Sequence, residues 1–122
     1  RLLVFKIGGK TTLPAAPELN ELPLDPVAFK GTPEQAKRGA YVYGRYCGTC
    51  HGDAAIGGGL LPDLRRSGMV ADEKSWKSIV MDGALKDNGM VGFADVLTPK
   101  DSEAARQYII FRANEDKALA GK

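Results

Sequence analysis

The chain has few of the residues from which metal and thiol sites are usually built. Its 122 residues include two cysteines and a single histidine. A site with two histidines on one metal ion is therefore excluded. A closed zinc site, which takes four protein ligands, would have to find at least one outside Cys and His.

Other signals are also missing. No apolar run approaches the length of about 20 residues that a membrane-spanning helix needs, and no signal peptide is visible. The formal net charge is +2 with acids and bases interspersed, which gives no basis for binding nucleic acid or an anionic membrane surface. There is no internal repeat. The length and the ordinary apolar content indicate one small globular domain with a tail.

Both cysteines and the histidine lie together in the stretch Cys47-Gly-Thr-Cys50-His51. This Cys-x-x-Cys-His form is the attachment motif of c-type haem. The two thiols can add across the two vinyl groups of the macrocycle, and the adjacent imidazole can reach the iron from one face. The motif predicts one covalently bound haem c, with His51 as an axial iron ligand.

Two other uses of these residues remain open but are disfavoured. Cys47 and Cys50 could form a thioredoxin-like redox pair, but no βαβ pattern surrounds them. Cys47, Cys50 and His51 could hold zinc, but the three residues are close together in sequence and no other Cys or His supplies a fourth ligand.

The second axial ligand must be a methionine or a lysine, or else the position is open. Met90 lies in an irregular stretch with glycines on both sides, which lets the backbone approach a flat ring. Met81 lies in a predicted helix and fits the core, and Met69 fits the surface or the edge of the core. We therefore expect Met90 to be the ligand.

A His/Met pair has a functional consequence. The thioether raises the reduction potential and fills the last position on the iron, which leaves electron transfer as the chemistry. An open sixth position would instead indicate a haem enzyme or a gas sensor.

The compact part of the chain reads as all-α. Thr32 and Thr98 are each followed by a proline and are predicted to start helices that run to about Cys47 and towards Glu115. Asp72 is predicted to cap a helix of about ten residues that ends at Gly83. Gly39 is costly inside a helix, so we expect it at a close contact with another helix.

The first 31 residues have a different character. Residues 1–9 read as a short strand that ends at two glycines, and residues 11–30 contain four prolines, which exclude a helix and indicate an extended linker. A lone strand is unstable, so we expect its partner strands to lie outside this chain.

From Thr32 onward the chain resembles class I cytochromes c, and in detail the C-terminal cytochrome domain of quinohaemoprotein alcohol dehydrogenases, which use pyrroloquinoline quinone (PQQ). The matching stretches cover about three quarters of the chain. They are Gly39-x-x-x-Tyr43-x-x-x-Cys47-x-x-Cys50-His51-Gly52, Gly58-Gly59-x-Leu61-Pro62-Asp63-Leu64-Arg65, Gly89-Met90-x-Gly92-Phe93 and the Ala-x-x-Tyr-Ile pattern at Ala105 to Ile109.

The resemblance implies a class I cytochrome c fold, with three main helices around one haem and an extended N-terminal arm. It implies a remnant of a β-propeller strand at 1–10, a linker at 11–31 and the cytochrome domain at 32–122. It also assigns residues to the haem: Cys47 and Cys50 as the thioethers, His51 and Met90 as the iron ligands, and Pro62 as acceptor from the second nitrogen of His51. Arg65 and Trp76 are placed in the haem pocket as candidate donors to the haem propionates. Arg65 could instead be a solvated loop charge, and Trp76 could be only a wall of the pocket.

The resemblance also implies partners. Electrons would arrive from a PQQ dehydrogenase module, which alone would hold PQQ and calcium, and would leave to an external redox protein, a quinone or an electrode. The chain would therefore not be an enzyme by itself. Its implied location is the periplasm.

Overall fold

The computed structural model describes residues 6–12, 15 and 22–121. In this part of the chain the regular structure is helical, with no β-strand. The α-helices are α1 Pro33–Tyr46, α2 Gly48–His51, α3 Gly68–Ala71, α4 Glu73–Val80 and α5 Pro99–Ala120. Short 3₁₀ turns lie at Asp53–Ala55, Leu64–Arg66 and Lys86–Asn88.

The three longer helices start where the sequence predicts. Thr32 accepts a hydrogen bond on Oγ1 from the Gln35 amide at 3.1 Å, and Thr98 accepts one from the Asp101 amide at 3.1 Å. Asp72 caps α4 by accepting from the Ser75 amide at 2.8 Å. Each cap satisfies an amide that has no partner within its own helix.

Two helix ends differ from the prediction. Helix α4 has 8 residues and ends at Val80, before the predicted stop at Gly83. Helix α5 runs past Glu115 to Ala120, because no helix-stopping residue occurs before Gly121. Arg112 and Asp116, four residues apart in α5, also pair at 3.1 Å across this extension.

Helices α1 and α5 cross at Gly39, as the sequence predicts. A Cβ atom built on Gly39 would lie 2.0 Å from the carbonyl oxygen of Ala104 and 2.7 Å from Cβ of Tyr108. One turn further along α1, the rings of Tyr43 and Tyr108 pack with their centroids 5.4 Å apart. The missing side chain at Gly39 is therefore what allows the two backbones to touch.

Residues 22–31 have no regular structure but lie against α5. The side-chain amide of Asn114 donates to the carbonyl of Val27 at 2.9 Å, and Lys117 pairs with Asp25 at 2.9 Å. The rings of Phe29 and Phe111 meet edge to face, with centroids 5.4 Å apart. Contacts with the helical body thus begin before the predicted domain boundary at Thr32.

The predicted strand over residues 1–9 lies mostly outside the described residues. Its described part, from Lys6 to Gly9, forms a turn in which the Gly9 amide donates to the Lys6 carbonyl at 3.0 Å. The expected propeller remnant therefore stays a prediction.

Candidate haem site

The motif Cys47 to His51 forms one helical turn directly after α1. The amides of Cys50 and His51 donate to the carbonyl of Cys47 at 3.2 Å and 2.9 Å. Residues one, four and five of such a turn lie on the same face of a helix. The local fold therefore puts both cysteines and the histidine on one side of α2.

The end of this turn is held against α1. The Tyr43 hydroxyl donates to the carbonyl of Gly52 at 2.8 Å, and Tyr43 is almost fully buried. Gly52 has φ of +80°, and a Cβ atom there would lie 2.1 Å from the carbonyl oxygen of Ile56. Only glycine fits this position, so the chain can leave the motif in a sharp turn.

His51 is buried, and its Nδ1 lies 3.2 Å from the carbonyl oxygen of Pro62. A carbonyl can only accept a hydrogen bond, so the neutral ring must carry its proton on Nδ1. The lone pair is then on Nε2, which is the form of histidine that ligates a metal. This contact is the one that the resemblance assigns to Pro62.

The Met90 loop is folded back towards the motif. The Phe93 amide donates to the carbonyl of Val80, the last residue of α4, at 2.8 Å. The Phe93 ring packs edge to face on Tyr46, at 6.3 Å between centroids, and Tyr46 directly precedes Cys47. Met90 is half-buried and packs against the core cluster that includes Cys47.

The two other methionines have different surroundings. Met69 lies in α3 and is 54% exposed, so it faces solvent. Met81 is the C-cap of α4, just outside the helix in which the sequence predicts it, and it packs partly buried against the core. Of the three, Met90 combines partial burial with a loop that the fold brings back to the motif.

Trp76 is hydrogen-bonded within the protein. Its single indole N–H donates to Oγ of Ser102 at 2.9 Å in a buried contact. An indole has one donor only, and here that donor joins α4 to α5. The haem-pocket role of Trp76 stays a prediction.

Arg65 is also committed within the protein. Its Nε donates to Asp63 at 3.0 Å and its Nη1 to Asp116 at 2.8 Å. A guanidinium has five N–H donors, so these bonds do not use all of them, and the haem-pocket role of Arg65 stays a prediction. Asp116 and Ser102 were not predicted from the sequence, because both are remote in sequence from their partners.

The two other uses of the cysteines gain no support. Burial, and secondarily the nearby Cys50, raise the pKa of the Cys47 thiol to about 11. A thioredoxin-like nucleophile instead needs a lowered pKa. Within the described ranges, no group of three or more Cys, His, Asp and Glu side chains is arranged to hold a metal ion.

The residues present do fit a c-type haem. The two thiols are not joined in a disulfide and share one helical face with His51. The hydrogen bond to Pro62 leaves Nε2 of His51 as the free donor to iron. Cys47, Trp76, Val80 and Leu97 belong to the surrounding buried apolar cluster, against which Met90 and Phe93 pack.

The helical fold and this site together define a domain of the class I cytochrome c type. The sequence matches the family described as cytochrome c oxidase, cbb3-type, subunit III over residues 34–109, and the chain belongs to that family. No helix in the described part is long and apolar enough to cross a membrane.

Full-length relatives are much longer. The chain is 42% identical over 117 residues to quinohemoprotein alcohol dehydrogenase ADH IIB of Pseudomonas putida, covering 95% of the chain and 17% of that protein. It is 42% identical over 115 residues to the dehydrogenase subunit of alcohol dehydrogenase (quinone) of Gluconobacter oxydans (strain 621H), covering 94% of the chain and 15% of the subunit.

A solved structure agrees with these sequence matches. The chain superposes on quinohemoprotein alcohol dehydrogenase ADHIIG from Pseudomonas putida HK5 with a TM-score of 0.69 and 31% identity. The match covers 93% of the chain and 16% of that protein. The predicted resemblance to the haem c domain of such enzymes, and the predicted fold, are therefore confirmed.

Proposed function

We propose that the chain transfers electrons through one covalently bound haem c, with Cys47 and Cys50 as thioether donors and His51 and Met90 as iron ligands. The observation that carries the proposal is the contact of His51 Nδ1 with the Pro62 carbonyl. His51 lies on the helical turn that also presents both thiols. When bound, the haem supplies one-electron chemistry between ferric and ferrous iron.

The chain's own residues bind and orient this group. The helical turn holds the two sulfurs and the imidazole in a fixed relation, and the Pro62 carbonyl fixes the ring and its tautomer. Tyr46, Phe93 and the buried apolar cluster exclude water from the surroundings of the iron ligands. Burial of this kind also tunes the reduction potential.

We further propose that the electrons come from a PQQ-dependent dehydrogenase module acting on an alcohol or a sugar, with PQQ and calcium held by that module. The support is the likeness to proteins that are named quinohemoprotein alcohol dehydrogenases, of which this chain spans about a sixth. The external acceptor would be a redox protein, a quinone or an electrode, and the location the periplasm.

The experiment is an intact mass together with optical spectra of the purified chain. One added haem mass that persists through acid-acetone extraction is expected, because thioether bonds survive it. A near-infrared sulfur-to-iron band and failure of the reduced protein to bind carbon monoxide are expected for His/Met ligation.

Other outcomes would redirect the proposal. High-spin bands with rapid binding of carbon monoxide would favour the second candidate, a haem enzyme or gas sensor with an open position. A colourless chain with the unmodified mass after co-expression with the haem attachment machinery would refute both.

A further inference from the structure

Arg65 holds the residue that follows Pro62. Its Nε and Nη2 donate to the two carboxylate oxygens of Asp63 at 3.0 Å and 2.5 Å. The Asp63 carboxylate also accepts the backbone amide of Arg65 at 3.1 Å, which caps the 3₁₀ turn Leu64–Arg66. A two-point contact of guanidinium with carboxylate fixes orientation as well as distance.

The same arginine ties this loop to α5. Its Nη1 donates to Asp116 at 2.8 Å, and Arg112 in α5 pairs with Asp116 at 3.1 Å from the other side. The side chains of Asp63, Arg65 and Asp116 are only 17%, 10% and 16% exposed. Solvent screens such a network less than it screens a surface ion pair.

These contacts act on the carbonyl that orients His51. The oxygen of Pro62 belongs to the peptide unit that joins Pro62 to Asp63, so the backbone of Asp63 sets the direction of that oxygen. The hydrogen bond from His51 Nδ1 is 3.2 Å long, at the upper end of the usual range. A small rotation of the peptide would therefore break it.

We propose that Asp63, Arg65 and Asp116 form a positioning unit that fixes the Pro62 carbonyl and thereby the orientation and electron-donating strength of His51. The inference rests on the proposed function, because it concerns His51 as an iron ligand. It gives Arg65 a role that does not require contact with a propionate.

The reduction potential separates the two roles by sign. A hydrogen bond from Nδ1 makes the imidazole a stronger donor, which favours ferric iron, so losing that bond raises the potential. Losing a positive charge near the iron also favours ferric iron, so it lowers the potential. Arg65→Lys keeps the charge but loses the two-point contact, and isolates the positioning effect.

The experiment compares Arg65→Lys with Arg112→Lys in the haem-loaded full chain. Arg112 also pairs with Asp116 but forms no ion pair with Asp63, so Arg112→Lys is the matched control for a loosened Asp116. We expect a higher potential in Arg65→Lys alone. We also expect exchange of the His51 Nδ1 proton in the reduced protein, followed by NMR, to be about tenfold faster in that variant.

An unchanged potential and exchange rate in Arg65→Lys would overturn the positioning role, and so would a lowered potential. If Arg65→Lys does not take up haem, Asp116→Asn is measured instead by proton exchange, and unchanged exchange there overturns the inference. Absence of covalent haem in the unmodified chain would refute the proposed function, which the mass spectrum reports separately.

Discussion

The contact at Gly39 gives a sharp test of how the fold holds the site. Gly39→Ala would add a Cβ atom 2.0 Å from the Ala104 carbonyl oxygen and 2.7 Å from the carbon of the same group. Ordinary contact begins at about 3.4 Å, and the obstacle is backbone, so no side chain can rotate away. Helices α1 and α5 must therefore move apart by more than about 1 Å.

The balance of free energies is unfavourable. Alanine is the better helix former by about 1 kcal/mol, which stabilises the variant. Overpacking at a close contact costs about 1 to 3 kcal/mol. Separating the Tyr43 and Tyr108 rings costs about 0.5 to 1.5 kcal/mol more. We expect the overpacking cost to lie at the upper end of its range, because the contact is with backbone. The net result is a loss of about 3 kcal/mol in the free energy of unfolding.

The assay is denaturant unfolding of the haem-loaded chain, with Gly44→Ala as the control. Gly44 lies in the same helix, and apart from its chain neighbours and the helix's own backbone no atom lies within 4 Å of its added Cβ. The control should be more stable by up to about 1 kcal/mol, from helix propensity alone. Equal stabilisation by both substitutions would refute the reasoning, since it would show that α1 and α5 can move apart at Gly39 without loss of stability.

Three further predictions follow from the same contacts. Met90→Ala should keep the covalent haem but lower the reduction potential and allow carbon monoxide to bind. An unchanged potential in potentiometric titration would indicate that Met69 or Met81 is the ligand instead. Phe29→Ala should cost about 2 kcal/mol of unfolding free energy, because the half-buried ring packs on Phe111. Val27 is exposed, so Val27→Ala should cost little. Equal losses in denaturant titrations would contradict this packing. Burial raises the pKa of Asp63, but the hydrogen bonds and charge of Arg65 outweigh it and leave that pKa below its ordinary value. The stability from this carboxylate is therefore present above the unfolded pKa of about 4 and lost as the pH falls. Asp63→Asn should make the free energy of unfolding depend less on pH on the acid side. An unaltered slope would argue against the ion pair of Asp63 with Arg65.

Much of the fold could be predicted from local sequence. The caps at Thr32, Asp72 and Thr98 depend on residues within three positions of each other, and the structure confirms all three. Gly39 was informative because a glycine inside a helix needs a reason beyond propensity. The match to known haem c domains confirms the resemblance, which rested on short motifs with fixed spacing.

The side-chain partners could not be predicted in the same way. Trp76 and Ser102 are 26 residues apart, and Arg65 and Asp116 are 51 apart. A donor residue in the sequence shows that a hydrogen bond is needed but not which acceptor supplies it. The structure gives both donors partners within the protein that no local pattern indicates, and the expected contacts with the propionates stay predictions.

Helix α5 explains why these partners lie where they do. Its buried residues occur at nearly consecutive positions from Ser102 to Ala113 and so cover more than one face. One face meets α1 at Gly39, Ser102 meets α4 through Trp76, and Asp116 meets the Pro62 loop through Arg65. Because a helix packed on several sides has no single apolar stripe, its partners cannot be read from periodicity. It also follows that substitutions in α5 can alter the candidate haem site without touching it, since α5 contacts all three segments that position the candidate ligands.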